Sequence, residues 1–250
     1  MLDIWSEVKG TQHIKPIMLK MYRLVESQEQ VATLSLVNNV YEQGMLEELI
    51  ETTKSPFKTS ENHLHYLLKT PFRYPPLKYG SRFGRTFEQG IFYGSLNMNT
   101  ALAETAYYRF VFMMGPERPY SSIISSEYTA FSISVKSERS ILLDEPPFVQ
   151  FIKSLICPIS YQNTQLLGSS MRESGVEIFR FISARDKEQG KNIGLFSPNV
   201  FCKNKPSNLM QWFCQTSSEE VGFLAQDEKS RLLFKREDFL INGVFPSPAV

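Results

Sequence analysis

Pro71-Phe72-Arg73-Tyr74-Pro75-Pro76, Tyr79-Gly80-Ser81-Arg82-Phe83-Gly84-Arg85, Ile91-Phe92-Tyr93-Gly94-Ser95 and Asn99-Thr100-Ala101-Leu102-Ala103-Glu104-Thr105-Ala106-Tyr107-Tyr108-Arg109 follow one another in a single stretch of the chain. In order they predict loop, strand, turn and helix. Residues that precede proline are pushed out of the helical region, so Arg73 and Tyr74 are expected in an extended, proline-braced segment. Ile91-Phe92-Tyr93 is a short β-prone run bounded by Gly90 and Gly94. Asn97, Asn99 and Thr100 each offer an N-cap, and the Ala/Leu-rich run behind them predicts a helix that Gly115-Pro116 stops. Arg82, Tyr93 and Glu104 are spaced by eleven residues. A strand-to-helix step can bring a strand aromatic, a helix carboxylate and loop arginines to one pocket.

Upstream, residues 1–20 have no clean period. Val31, Leu34, Val37, Val40, Tyr41, Leu46 and Leu49 fit one amphipathic helix or two, with Gly44 at a junction. Such a helical segment is either a cap packed on the core or a docking surface for a partner or second copy. With no Gly/Ser-rich linker after it, residues 1–69 are expected as a helical N-terminal extension packed on a domain of residues 70–250. Downstream, Phe131, Ile133 and Val135 alternate as a half-buried strand does, and Ser140–Asp144 predicts a second. Helical patterns cover 148–156 and 161–171. A strand follows at 176–183, with Ile178, Arg180 and Ile182 on one face and Phe179 and Phe181 on the other. A terminal hairpin joins Glu220–Leu224 to Arg231–Lys235. The sum is α+β, with strands weighted to the second half.

Composition narrows the function classes. Among 250 residues, 42% are hydrophobic and 21% charged, which is ordinary for a globular chain. A net charge of +1 argues against direct nucleic-acid binding, which needs clustered Lys and Arg. No apolar run approaches the roughly 20 residues of a membrane span, and no signal-peptide pattern opens the chain. The expected location is cytoplasmic. Cys157, Cys202 and Cys214 form no Cys-x-x-Cys pair, and His13, His63 and His65 have no nearby ligand set, so reduced thiols and no metal are expected. Neither a dinucleotide fingerprint nor a phosphate-binding Gly-Lys-Ser/Thr motif occurs, which disfavours a Rossmann oxidoreductase.

The blocks Phe72-Arg73-Tyr74, Ser81-Arg82-Phe83, Phe92-Tyr93-Gly94, Ala101-Leu102-Ala103-Glu104 and Phe181-Ile182-Ser183-Ala184-Arg185-Asp186 stand in the order found in the RES family, which is named for a shared Arg, Glu and Ser. The resemblance covers about residues 70 to 200. Two positions depart from the pattern: Phe83 replaces the usual Trp, and the Asn after it is absent, so the loop around Arg82 is where this chain should differ. The resemblance implies an ADP-ribosyltransferase-like fold, a mixed and largely antiparallel sheet with flanking helices. It also implies a toxin that consumes NAD, paired with an antitoxin that carries an Xre-type DNA-binding region and a toxin-binding region.

Those residue types suit that chemistry. Cleavage between nicotinamide and ribose passes through an oxocarbenium-like sugar and calls for a fixed negative group, assigned to Glu104. A pyrophosphate calls for planar, multi-donor cations, assigned to Arg82 and Arg73. Tyr93 would stack on nicotinamide, Tyr74 would stack or pack, and Ser183 would hydrogen-bond substrate or orient Glu104. Gln165 and Arg185 are secondary candidates, Arg185 as a brace for the strand that carries Ser183. Taken one at a time, a helical Glu is usually exposed, a strand Tyr usually packs and a Ser after a strand usually forms a turn. Their joint order is what raises them. NAD is expected as substrate, with no prosthetic group. The acceptor is water or phosphate, with a protein side chain as the alternative. A non-catalytic NAD- or partner-binding module is the reading from another class, and oligomerisation, a homo-oligomer included, stays open.

Overall fold

The computed structural model describes residues 2–27, 37–54, 62–74, 78–117, 120, 122–227 and 230–247. In chain order the elements are α1 (Ile4–Glu7), β1 (Lys15–Glu26), α2 (Val40–Thr53), α3 (Tyr66–Arg73), β2 (Phe92–Ser95), α4 (Met98–Met114), β3 (Ile124–Leu142), α5 (Ile152–Leu155), α6 (Gln162–Glu173), β4 (Ile178–Ile182), β5 (Lys191–Leu195), β6 (Ser207–Thr216), β7 (Glu220–Ala225) and β8 (Arg231–Lys235). The fold is α+β, built on one eight-stranded sheet ordered β1-β2-β5-β4-β3-β6-β7-β8. Only β3 and β4 run parallel; every other pairing among the described residues is antiparallel.

β3 is the spine. The two strands expected at 128–135 and 140–144 are parts of this one 19-residue strand. Their polar join, Lys136-Ser137-Glu138-Arg139, stays extended because β1 runs beside it, from Lys15↔Ser140 to Glu26↔Tyr128. β1 also meets β2 at Tyr22↔Ser95, so β1, β2, β5, β4 and β3 close into a ring. Met21, Phe92, Phe131, Ile133, Val135, Ile178, Ile193 and Leu195 form a core cluster within this ring, with Leu68 and Phe72 of α3 against it. A second cluster lies between α4 and β3, β6 and β7. A third gathers α1, α6, Phe83, Phe179 and Phe181.

Three local expectations change. Residues 15–26 form a sheet strand that no periodicity announced, since in β1 only Met21 is fully buried and the register partner β3 supplies the order. Residues 1–69 are therefore helical only in part. Arg73 ends a helix, α3, which tolerates Pro71 inside it, and only Tyr74 is extended. α2 runs through Gly44 without a break, capped by the Asn39 side chain on the Glu42 N–H, and leaves Val40, Tyr41, Met45 and Leu49 exposed. Residues 28–36 of the expected amphipathic segment lie outside the described residues, as do residues 228–229 of the expected hairpin. Those two strands pair antiparallel from Glu220↔Lys235 to Leu224↔Arg231.

Candidate active site

Strand parity places the site. Ser95 of β2 is opposite Asn192 of β5, and Asn192 is opposite Phe181 of β4. Opposed residues share a face, so Tyr93, Ser95, Asn192, Phe181 and Ser183 all line one side of the ring. α4 starts right after β2. Asn97 caps it, its Oδ1 accepting from the Thr100 N–H and the Thr100 hydroxyl, both at 2.8 Å. The Thr100 hydroxyl, expected as a cap itself, also lies 2.7 Å from Asp186 Oδ2, so its one proton is shared between that carboxylate and Asn97 Oδ1. That contact pins the 183–190 turn to the first turn of α4. Glu104 follows in the next turn and faces the strands.

Glu104 Oε1 accepts two hydrogen bonds, from Ser183 Oγ and from Asn192 Nδ2, both at 2.6 Å. Asn192 in turn accepts from Ser95 Oγ at 2.6 Å. Ser183 Oγ accepts the backbone N–H groups of Arg185 (3.1 Å) and Asp186 (3.0 Å). With its lone pairs so engaged, its proton goes to Glu104, and a nucleophilic role for this hydroxyl is disfavoured. Among the described residues no hydrogen bond or ion pair engages Glu104 Oε2. The site is thus a half-buried carboxylate, held by two donors on one oxygen.

Two arginines reach this carboxylate's neighbourhood through one tyrosine. Arg185, buried, lies 3.6 Å over the ring of Tyr107, one turn beyond Glu104 on α4. Its Nη2 donates to Pro158 O (3.0 Å) and contacts the Tyr161 hydroxyl at 3.4 Å. Arg82 sits 4.7 Å from the centre of the same Tyr161 ring, and its Nη1 donates to Cys157 O (2.8 Å) and Leu155 O (3.3 Å). Both guanidinium groups are therefore held by backbone carbonyls of residues 155–158. Tyr107 donates its hydroxyl to Pro246 O at 2.8 Å, and burial pushes its pKa well above the ordinary value.

Tyr93 serves the Arg82 loop from beneath. Its ring stands edge-on to Phe179 and Phe181, its hydroxyl accepts from the Phe83 N–H (3.2 Å), and it bonds to Ser81 Oγ at 3.0 Å. The loop closes on itself through Ser81 N to Gly84 O at 2.8 Å. Gln165 of α6 donates to Tyr79 O and Ser81 O at 3.0 and 3.1 Å. Phe83, where the family usually has Trp, is fully buried with its ring 4.8 Å from those of Phe179 and Phe181. A ring so placed contributes about 2–3 kcal/mol, and the loop closes around it. α6 fits against this loop only because residue 168 is glycine, whose Cβ would lie 1.9 Å from Phe83 O.

Arg73 and Tyr74 stand elsewhere. Arg73 ion-pairs with Glu51 of α2 at 2.8 Å, its guanidinium lies 5.6 Å from the Tyr74 ring, and Tyr74 is exposed. The structure joins Glu104 and Ser183 directly, and links Arg82 to them through Tyr161 and Arg185. Sequence reasoning missed Asn192, Ser95, Tyr161 and Asp186. Asn192 and Ser95 carried a signal: each is a small polar residue in a short apolar strand, and Ser95 has the parity of Tyr93. Tyr161 carried none, since only the fold brings it between two arginines.

Residues 56–212, more than half of the chain, match the RES domain. The chain belongs to the RES family. Among solved structures, this RES protein is similar to a chain in the crystal structure of the M. tuberculosis MbcT–MbcA toxin–antitoxin complex. The likeness has 9% sequence identity and a TM-score of 0.46, over 76% of this chain and 79% of that one. No curated protein matches it. Among the described residues of this RES domain, no group of three or more His, Cys, Asp or Glu could hold a metal ion, and no helix is long and apolar enough to cross a membrane.

Proposed function

We propose that this RES protein is the toxin of a toxin–antitoxin pair and cleaves the nicotinamide–ribose bond of NAD. The observation that carries this is the Glu104 carboxylate, aimed by Ser183 and Asn192 with Oε2 left for a ligand. In the reaction the bond from ribose C1′ to the nicotinamide nitrogen breaks, and its electron pair neutralises the pyridinium. Oε2 faces the cationic sugar as charge develops, where a preoriented negative group counts most. An oxygen of water or phosphate then bonds C1′ from the open side, and water loses its proton to solvent.

Arg82 and Arg185 supply guanidinium donors for the pyrophosphate, exchanging backbone carbonyl partners for phosphate oxygens. Tyr93 keeps the Arg82 loop in place. Arg73 and Tyr74 are assigned to a more remote part of the dinucleotide, with Arg73 already tied to α2. The neighbouring toxin–antitoxin structure supports an antitoxin as partner, and the exposed Tyr41, Met45 and Leu49 of α2 offer apolar surface to extend that contact. The substrate pool would be cytoplasmic NAD.

Purified protein incubated with NAD, with and without phosphate, tests this when products are separated. Free ADP-ribose at equal rates identifies water as acceptor, and a phosphorylated ADP-ribose identifies phosphate. Label retained on polypeptide identifies a protein ADP-ribosyltransferase. Glu104→Gln should lower kcat by about 10²–10³-fold. Wild type that yields no nicotinamide sinks the proposal, and absence of a stable complex with an Xre-type antitoxin encoded beside this chain counts against the antitoxin.

A further inference from the structure

We propose that Asn192, backed by Ser95, is the positioning residue that aims the Glu104 carboxylate. This role rests on the NAD-cleaving function proposed above. Asn192 is 4% exposed and Ser95 2% exposed. They sit in β5 and β2 on the buried face that also carries Tyr93 and Phe181, where an amide and a hydroxyl are costly unless fully hydrogen-bonded. An apolar side chain would serve packing there at less cost, so the polar pair calls for a reason.

Hydrogen-bond polarity supplies it. An ionised carboxylate only accepts, so the Asn192 amide must turn Nδ2 toward Glu104 Oε1 and Oδ1 toward Ser95. Ser95 then has one place for its proton, which is Asn192 Oδ1. Ser183 approaches the same Oε1 from the 183–190 turn. Two donors on one oxygen, from two different segments, fix both the position and the plane of the carboxylate. A single donor would leave it free to swing about that bond. Ser183 alone therefore locates the group, and Asn192 orients it so that Oε2 points away from the strands. Neither Asn192 nor Ser95 touches the substrate in this scheme.

The test compares Asn192→Asp, Asn192→Ala and Ser95→Ala with wild type and Glu104→Gln at pH 8, reading kcat and KM for NAD together with the melting temperature of each. Asn192→Asp keeps the side chain's shape but sets an acceptor against an acceptor. A packing role ranks it above Asn192→Ala. The positioning role predicts the reverse: a fall in kcat of roughly 10²-fold or more for Asn192→Asp, as expected when a reacting group is misplaced by about 1 Å. Asn192→Ala and Ser95→Ala should lose less, with KM changed by less than about threefold in all three, since binding precedes the step affected. Asn192→Asp as active as Asn192→Ala, or more so, overturns the role, and so does a loss that appears in KM alone. Should Asn192→Ala fail to fold, Ser95→Ala against Asn192→Asp decides in the same way. If wild type turns over no NAD, the functional reading has failed and this role goes with it. Wild type active and Glu104→Gln inactive, with the Asn192 ranking wrong, is failure of this inference alone.

Discussion

A tyrosine hydroxyl is an economical support for a loop, because it can accept and donate at one point while its ring is packed elsewhere. Tyr93 does this here. Loss of water around it pushes its pKa up to about 12, so it keeps its proton at neutral pH. The hydroxyl accepts from Phe83 N–H and leaves its proton for Ser81. Tyr93→Phe removes one oxygen and strands a buried N–H, which should cost about 1–2 kcal/mol, read from urea unfolding. Because the loop carries Arg82, KM for NAD should rise more than kcat falls. Unchanged stability would show that loop closure through Ser81 and Gly84 suffices without the phenol. The identities of Tyr93 and Arg82 were legible in the chain, whereas the direction in which Tyr93 points was not. That direction follows from Phe179 and Phe181 lying on the same face of β4, across Gly194 of β5.

At the scale of elements, the outer end of β3 is locked to β4 and β5 by charge. Asp144 accepts from Arg180 Nε at 2.8 Å and ion-pairs with Lys191 Nζ at 2.6 Å, with its side chain 1% exposed. Burial alone would push this carboxyl up, but the hydrogen bonds from Arg180 and Lys191 more than reverse that and hold it below the ordinary value. A carboxyl depressed in the folded state adds stability that is complete above its unfolded pKa of about 3.9 and is lost as pH falls through the lower folded value. Asp144→Asn should therefore cost roughly 3 kcal/mol at neutral pH. The difference from wild type should shrink as urea titrations are moved from pH 7 toward about pH 2. A gap that stays constant with pH would mean the lost stability is packing, not charge. Since Lys191 precedes Asn192 and Arg180 is three residues from Ser183, this ion-pair cluster holds in register the two strands that bring donors to Glu104. β4 itself was readable from its alternation. The cluster was not, because Asp144 lies 36 residues before Arg180 and nothing local couples them.

For the whole molecule, β1 decides whether the N-terminal region is an appendage. Its pairing with β3 and its contact with β2 close the five-strand ring, Met21 is wholly buried within it, and Arg23 donates to the Tyr93 carbonyl. Removing residues 1–27 opens the ring beside the strand that carries Tyr93 and Ser95. The truncated chain should lose its cooperative thermal transition and most of its solubility, measured by circular dichroism and by the soluble fraction on expression. A soluble fragment that unfolds cooperatively would make residues 1–27 dispensable to the core.

The sequence by itself determined the α+β class, the helix that carries Glu104, the strand that carries Phe179 and Phe181, and the family blocks that named Arg82, Glu104 and Ser183, because each is written in local periodicity, caps or ordered short motifs. It did not determine β1, the single long β3, or the Ser95–Asn192 support. These depend on which strands lie side by side, and a strand's register is set by partners far away in the chain. Only the folded chain decides that Ser183, just past β4, and Asn192 on β5, nine residues apart, donate to the same oxygen of a carboxylate some 80 residues earlier.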